Sequence, residues 1–529
     1  MAAPGGSSGC RPREDKVHGK ESVRLTLPGD LGPESLGEEW SVEVHPRESR
    51  CLTFWDTFEW GLWFGGHLLH SSGGVYRLCA REGGWLGTAV CEEQAGGRRR
   101  FWQDFETNAM RGRLEGMLGL RGLAPVAEGC FRLRGCDVRN EAGKIVCRLE
   151  WASVSPGKRE EALFHSCRVL PLLGYEGEAA RVVEQLVRGG ARTSGEGPVE
   201  ALLRHAGSAP RRYTLRPVFG LAMDTPAREA VGRIVRGMLE IAGHNVPGIV
   251  DDRDTEFLHD YRICLRKVRS VLSLVKEVYP AGETRRMRTV LGNLARQTNR
   301  LRDLDVYLLA RDDYLGLLPP ALRPALDGMF ADFSAERERE VRRATAKLQA
   351  ASTRRLLREV EEYFAVGTPH GPTPAADLAV GPLVFRRIYK RYRRIRTIAA
   401  GIGAETPDEA VHRLRIECKK LRYLMEFFAE LFPKQEGARM LRSLRRLQNR
   451  LGEFNDALVQ QRSLMSYWER KRPGPGVALG VGGLVAVLYR RQQEARGHID
   501  EALEGFCGRF AAAAFKRAFK PAGPPPRER

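Results

Sequence analysis

A histidine followed by cations at helical spacing occurs twice in this chain. His259, Arg262, Arg266, Lys267 and Arg269 lie in FLHDYRICLRKVRSVLSLVKEVYP, and His412, Arg415, Lys419, Lys420 and Arg422 lie in AVHRLRIECKKLRYLMEFFAELFP. Each member of the second set stands 153 positions after its counterpart, as Pro433 does after Pro280. At about 100° per residue, positions i, i+3, i+7 and i+10 fall in a stripe about 80° wide, so the histidine and three cations point one way. Stacked like charges destabilise a helix unless something anionic answers them. The spacing predicts a duplicated surface for a polyanion. Neither histidine has a nucleophile or carboxylate at a telling spacing, so binding is expected and catalysis is not.

Other readings fit the same residues. A basic helix face can simply be solvated, and each histidine can be a packed or capping residue. Asp254-Thr255 and Thr406-Pro407-Asp408 read as N-cap sequence just ahead of them. Asp303, Asp305 and Asp456 are expected to orient arginines or pair between helices. In FRRIYKRYRRIR, Arg387, Arg391 and Arg394 keep helical spacing and extend the candidate surface. Tyr389 and Tyr392 permit base stacking as well as core packing, and core is the expectation for the ring.

These residues need helices to hold them, and the texture after residue 221 supplies them. Amphipathic periodicity predicts helices near 225–242, 254–279, 283–310, 320–364, 381–400, 406–432, 435–470 and 484–518, with a Pro-rich loop between the two halves. The apolar run VALGVGGLVAVL at 477–488 is too short to span a bilayer and, being rich in Gly, reads as a loop entering a buried helix. From 23 to 221 the pattern is short alternating strands with Gly-rich turns and helical periodicity in GEAARVVEQLVRGG and VEALLRHAG. The fold class is α+β: an N-terminal antiparallel β-rich domain, 23–221, then an all-α bundle, 222–519, of two four-helix repeats at about 225–366 and 381–518. Residues 1–22 and 520–529 read as disordered tails.

Charge follows the same division. The chain of 529 residues carries 86 Lys and Arg against 66 Asp and Glu, a net of +20. Residues 1–220 contribute only +2 of this, and 221–529 contribute +18. A field of that sign suits nucleic acid, anionic lipid or an inorganic polyanion. The 11 cysteines include no C-x-x-C pair and read as free buried thiols of a reducing cytoplasm. The N-terminal residues lack an apolar h-region, so no secretion and no membrane partner are expected.

Each repeat continues into an acidic second segment, NRLRDLDVYL in the first and NRLGEFNDALV in the second. The order of H-x-x-R-x-x-x-[RK]-K-x-R, R-D-L-D-V and L-G-E-x-N-D resembles the CHAD family, the conserved-histidine α-helical domain, over roughly 225–515. The resemblance implies two four-helix repeats whose basic faces line a groove for inorganic polyphosphate. It puts His259, Arg262, Arg266 and Arg269 in that groove with His412, Arg415, Lys419 and Arg422, and it is compatible with location at polyphosphate granules. Near phosphates the charged imidazole is favoured, so binding is expected to tighten as pH falls toward about 6.

The N-terminal strands, with TFWDT, VYRLCAREGG, IVCRLEW and RRYTLRPVFGL in order, are similar to a diverged CYTH domain of the triphosphate tunnel superfamily. Active members open with E-x-E-x-K, whose glutamates hold a metal. Here SVRLTLPGDL places Arg24, Thr26 and Pro28 on that strand, Glu21 lacks a partner two positions on, and SVEVHP offers only Glu43. Arg77, Arg81, Arg132, Arg134, Arg148 and Glu150 are candidates to line a tunnel without metal or other cofactor. Two alternatives therefore stand beside polyphosphate binding: a metal-dependent triphosphatase or polyphosphatase in the first half, and nucleic-acid binding by the basic bundle. Oligomeric state is not legible.

Overall fold

The computed structural model describes residues 22–520 except 30, 38, 83, 158, 160, 404 and 405, so the expected tails and Cys10 lie almost wholly outside it. The chain forms two compact units that meet in sequence between Tyr213 and Thr214.

The first unit is built on ten strands: β1 (Val23–Thr26), β2 (Ser41–Val44), β3 (Glu48–Asp56), β4 (His67–Ser72), β5 (Val75–Glu82), β6 (Trp85–Gln94), β7 (Ala124–Arg139), β8 (Ile145–Pro156), β9 (Phe164–Pro171) and β10 (Arg192–Thr193). They pair antiparallel in the order β10-β1-β9-β8-β7-β3-β4-β5-β6, with β2 also on β7. Four helices accompany them: α1 (Gly61–Phe64), α2 (Asn108–Leu118), α3 (Glu176–Arg188) and α4 (Pro198–His205).

Alternation gives the sheet two apolar faces, each with its own helix. On one, Leu25, Leu149, Cys167 and Val169 pack with Val182 and Leu186 of α3. On the other, Leu52, Phe54, Phe131 and Val154 pack with Val199, Leu202 and Leu203 of α4. The candidate tunnel residues divide between these faces. Arg132 and Arg134 stand opposite Ser153 and Trp151 on the α3 side, whereas Glu150 and Arg148 stand opposite Gly135 and Asp137 on the α4 side.

The sheet also curls. Arg168 of β9 donates to Glu150 of β8 at 2.8 Å and to Glu82 of β5 at 2.6 Å, strands well separated in the sheet order, and its guanidinium lies over the Trp85 ring. One side of the curled sheet is therefore filled by α4 and crossed by a paired arginine.

The cysteine expectation needs correcting at one pair. Cys51 and Cys130 stand directly opposite on β3 and β7 and form a disulfide. Period-two register brings their side chains together across 79 residues of sequence, which no local spacing rule detects. The other eight described cysteines are free and mostly buried.

The second unit is helical: α5 (Ala227–Val250), α6 (Thr255–Leu274), α7 (Ala281–Arg296), α8 (Asn299–Leu309), α9 (Arg311–Gly316), α10 (Asp327–Gln349), α11 (Ala351–Tyr363), α12 (Val380–Ala399), α13 (Asp408–Phe427), α14 (Lys434–Lys471), α15 (Pro475–Gly497), α16 (Ile499–Cys507) and α17 (Arg509–Phe519). The duplication appears as an approximate two-fold axis. Ala227 N donates to Leu378 O and Val380 N to Thr225 O; Arg228 N donates to Ala376 O and Gly381 N to Met223 O. Each bond maps onto its mate under the offset of 153, and Tyr307 OH donates to Gln460 O, its own equivalent, at 3.4 Å.

Two expectations about helices change. The run at 477–488 is helix throughout, inside α15, which opens on Pro475 at its first turn. Its glycines serve close packing: a Cβ on Gly480 would stand 2.9 Å from that of Ala325, and one on Gly483 3.3 Å from Leu318. Val481, Leu484 and Leu488 then join Leu304, Phe330, Phe333 and Leu464 in the core that links the repeats. Second, three stretches expected as single helices break: 283–310 between α7 and α8, 320–364 between α10 and α11, and 484–518 among α15, α16 and α17, while α14, the counterpart of the first, runs unbroken.

Candidate polyanion site

Helices α6 and α13 carry the two stripes, and they pack against one another. Asp254 caps α6, accepting from Glu256 N at 2.9 Å and Phe257 N at 3.3 Å. In α13, Asp408 opens the helix and is held by Arg496 at 3.0 Å and Gln492 at 2.9 Å. Val411, Leu414, Cys418 and Leu421, each one position before a stripe residue and so about 100° round the helix, anchor α13 in the core and leave the stripe at its margin.

The stripes converge. Arg266 of the first repeat lies within electrostatic reach of Arg415 and Lys419 of the second, with Arg422 beside them. Burial, then Arg415 and Arg266, push the Lys419 ammonium down to about 8. Burial also lowers Arg415; Asp456, at 3.0 Å from its guanidinium, offsets part of this, and Arg266 and Arg422 push the other way. The buried Nε–H groups of Arg269, Arg415, Arg422 and Arg445 have no hydrogen-bond partner among the described residues. Buried donors without acceptors and adjacent like charges are both costly, and one multidentate anion would relieve both.

Related positions in the two repeats do related work. Asp303 and Asp456 are equivalent, and they act on the equivalent arginines Arg262 and Arg415. The arginines nonetheless differ. The break after α7 exposes carbonyls, and Arg262 donates there to Ala295 O at 2.6 Å and Thr298 Oγ1 at 3.0 Å. Arg415 faces a continuous α14 and keeps a free edge.

His412 Nδ1 lies 2.7 Å from Asn455 Oδ1. His259 is half-buried beside Glu256 and Asp260, whose ligand atoms lie with its own within 4.8 Å of one another. That trio is the one cluster among the described residues able to hold a metal ion, although Arg302 stands 3.6 Å from Glu256 and competes with a cation for it.

Several candidate residues are engaged elsewhere. Lys267 and Lys420 lie about 100° round the helix from Arg266 and Lys419. Lys267 is buried and donates to Leu215 O at 2.6 Å; Lys420 pairs with Glu417 at 2.8 Å. Glu417 also holds Arg391 and stands 3.9 Å from Arg394, while Arg387 caps the end of α6 through Leu274 O and Lys276 O, both at 2.9 Å. The structure thus brings together Arg266, Arg415, Lys419 and Arg422, flanked by Arg262, Arg269 and His412; it engages Lys267, Lys420, Arg387, Arg391 and Arg394 elsewhere and sets His259 beside Glu256 and Asp260. Tyr392 is core, stacked on Phe515 at 3.9 Å.

Other members were not evident from the stripes. Arg269 is lowered by burial and then by Arg288 and Arg296 of α7, whose positions flank Gly292 at intervals of four. A Cβ on Gly292 would stand 3.3 Å from the Arg269 guanidinium carbon, so glycine lets the side chain lie against α7. Their helical spacing was a usable signal. Asn455 and Glu426 carried none, since each acquires its role through a contact between helices.

Residues 233–465 match the family model for the CHAD domain. No curated protein matches the chain. Among solved structures, the CHAD domain from the plant Ricinus communis aligns with TM-score 0.47 and 22% identity over 55% of this chain and 96% of that one. PptA from Streptomyces chartreusis aligns with TM-score 0.40 and 17% identity over 53% of this chain and 100% of that one. The family match runs from α5 into α14 and takes in both stripes and their acidic partners, so the helical unit of this chain contains a CHAD domain.

Proposed function

We propose that the helical unit binds inorganic polyphosphate where the stripes of α6 and α13 meet. The observation that carries this reading is the gathering of Arg266, Arg415, Lys419 and Arg422 from both repeats, with burial and like charge lowering Lys419. Guanidinium forks grip pairs of non-bridging oxygens and the lysine adds a point charge. A chain of closely spaced phosphates answers such a row better than one anion does. The CHAD assignment supports the same ligand, and location at polyphosphate granules follows as part of the proposal. Among the described residues no helix is long and apolar enough to cross a membrane.

We propose further that the N-terminal unit performs no phosphate hydrolysis. The apolar packing of α4 on the curled sheet and the pairing of Arg168 with Glu150 and Glu82 support this. Neither a metal nor another cofactor enters the reading.

Competition at physiological salt tests it, because counterion release makes all polyanions compete at low salt. Long-chain polyphosphate should displace labelled duplex and single-stranded nucleic acid at equal phosphate concentration. Displacement of polyphosphate by nucleic acid instead would replace this reading with the nucleic-acid one.

A further inference from the structure

We infer that the segment 214–221 is a strap over α6 and the end of α13 and that its Arg216 is an additional polyanion-binding residue. This rests on the proposed site and adds to it a group from outside the helical repeats.

The strap is fastened at several points. Lys267 donates to Leu215 O at 2.6 Å, and Glu430 accepts from Phe219 N at 2.7 Å and Leu221 N at 2.9 Å. Arg233 donates to Gly220 O at 2.5 Å. Between these points Arg216 extends toward Glu426 at 3.9 Å and keeps 62% of its side chain exposed. That carboxylate is almost buried and serves three guanidiniums, with Arg445 at 3.2 Å and Arg422 at 4.0 Å. One negative charge cannot neutralise three positive ones, so this end of the stripe is left with net positive charge. Arg216 and Arg422 both act on the buried Lys267 ammonium, so Arg216 lies beside the end of the α13 stripe.

This also accounts for the asymmetry between Lys267 and Lys420. Both occupy the same repeat position, yet one closes an ion pair within its own helix and the other is buried under a segment from outside the repeats. A polyphosphate chain running past Arg422 would therefore meet Arg216 next.

The test uses the whole chain and long-chain polyphosphate as the probe. Arg216→Ala, an exposed substitution, should weaken affinity about threefold to tenfold and reduce the slope of log affinity against log salt by about one. Arg393→Ala removes an exposed charge from α12 and should change neither. Unchanged affinity and slope in Arg216→Ala, or an equal loss in both variants, would overturn the inference. Arg266→Glu with Lys419→Glu separates the two claims. If that pair abolishes binding while Arg216→Ala does nothing, the strap fails and the site stands; if the pair binds normally, the site itself fails.

Discussion

His412 Nδ1 and Asn455 Oδ1 are 2.7 Å apart, and the Asn455 amide nitrogen faces Asp456 Oδ1 at 3.4 Å. Because the amide donates to Asp456, its oxygen accepts from His412, and the imidazole carries its proton on Nδ1. A neutral His412 then presents a lone pair at Nε2, while the imidazolium presents an N–H. The same Asp456 holds Arg415, so one short network sets the tautomer of a histidine and the aim of an arginine.

Polyphosphate affinity should fall as pH rises into the alkaline range, through Lys419. The fall begins near the Lys419 value of about 8. Below that value Lys419 is charged in free and bound protein alike; above it, binding must take up a proton, and affinity drops. Titration calorimetry from neutral to alkaline pH checks it.

Gly292→Ala should reduce affinity about twofold to fivefold without lowering Tm. Alanine gains about 1 kcal/mol of helix propensity over glycine, while its Cβ pushes on the Arg269 guanidinium. Thermal melts and polyphosphate titration of the variant check the two effects separately.

Glu417→Gln should destabilise the helical unit by about 3 kcal/mol, because it strips a buried carboxylate from Arg391 and Lys420. Burial raises the Glu417 carboxyl, but hydrogen bonds from Lys420 and Arg391 outweigh it and hold the group below the usual range. Its stabilisation is therefore present above the unfolded value and lost as pH falls through the folded one. The variant should lack that acid-side loss in a pH series of denaturant melts. Its polyphosphate affinity at neutral pH should change by no more than about twofold.

Native mass spectrometry with thiol alkylation should find Cys51 and Cys130 unmodified before reduction and both modified after it. Reduction should lower the stability of the N-terminal unit by about 2 to 5 kcal/mol. Free alkylation of Cys51 without reductant would contradict the pairing.

The stripes were legible because a helix repeats every 3.6 residues and the duplication doubled the signal. Their registration was not, since Arg266 meets Arg415 and Lys419 only through packing of α6 on α13. Lys267 and Lys420 shared the repeat and so resembled site residues, yet about 100° of helix turns them toward Leu215 and Glu417. Glycine misled at 477–488, where it permits close approach of a helix and does not mark a loop. In the sheet, alternation located the strands but could not say that Arg132 and Glu150 face opposite sides, because that depends on register.

The most direct measurement is the affinity of the whole chain for long-chain polyphosphate at physiological salt, before and after Arg266→Glu with Lys419→Glu. The two residues belong to different repeats and meet in one site. The account predicts a loss of at least about a hundredfold with the fold retained by circular dichroism. Affinity within about twofold of the parent would contradict it.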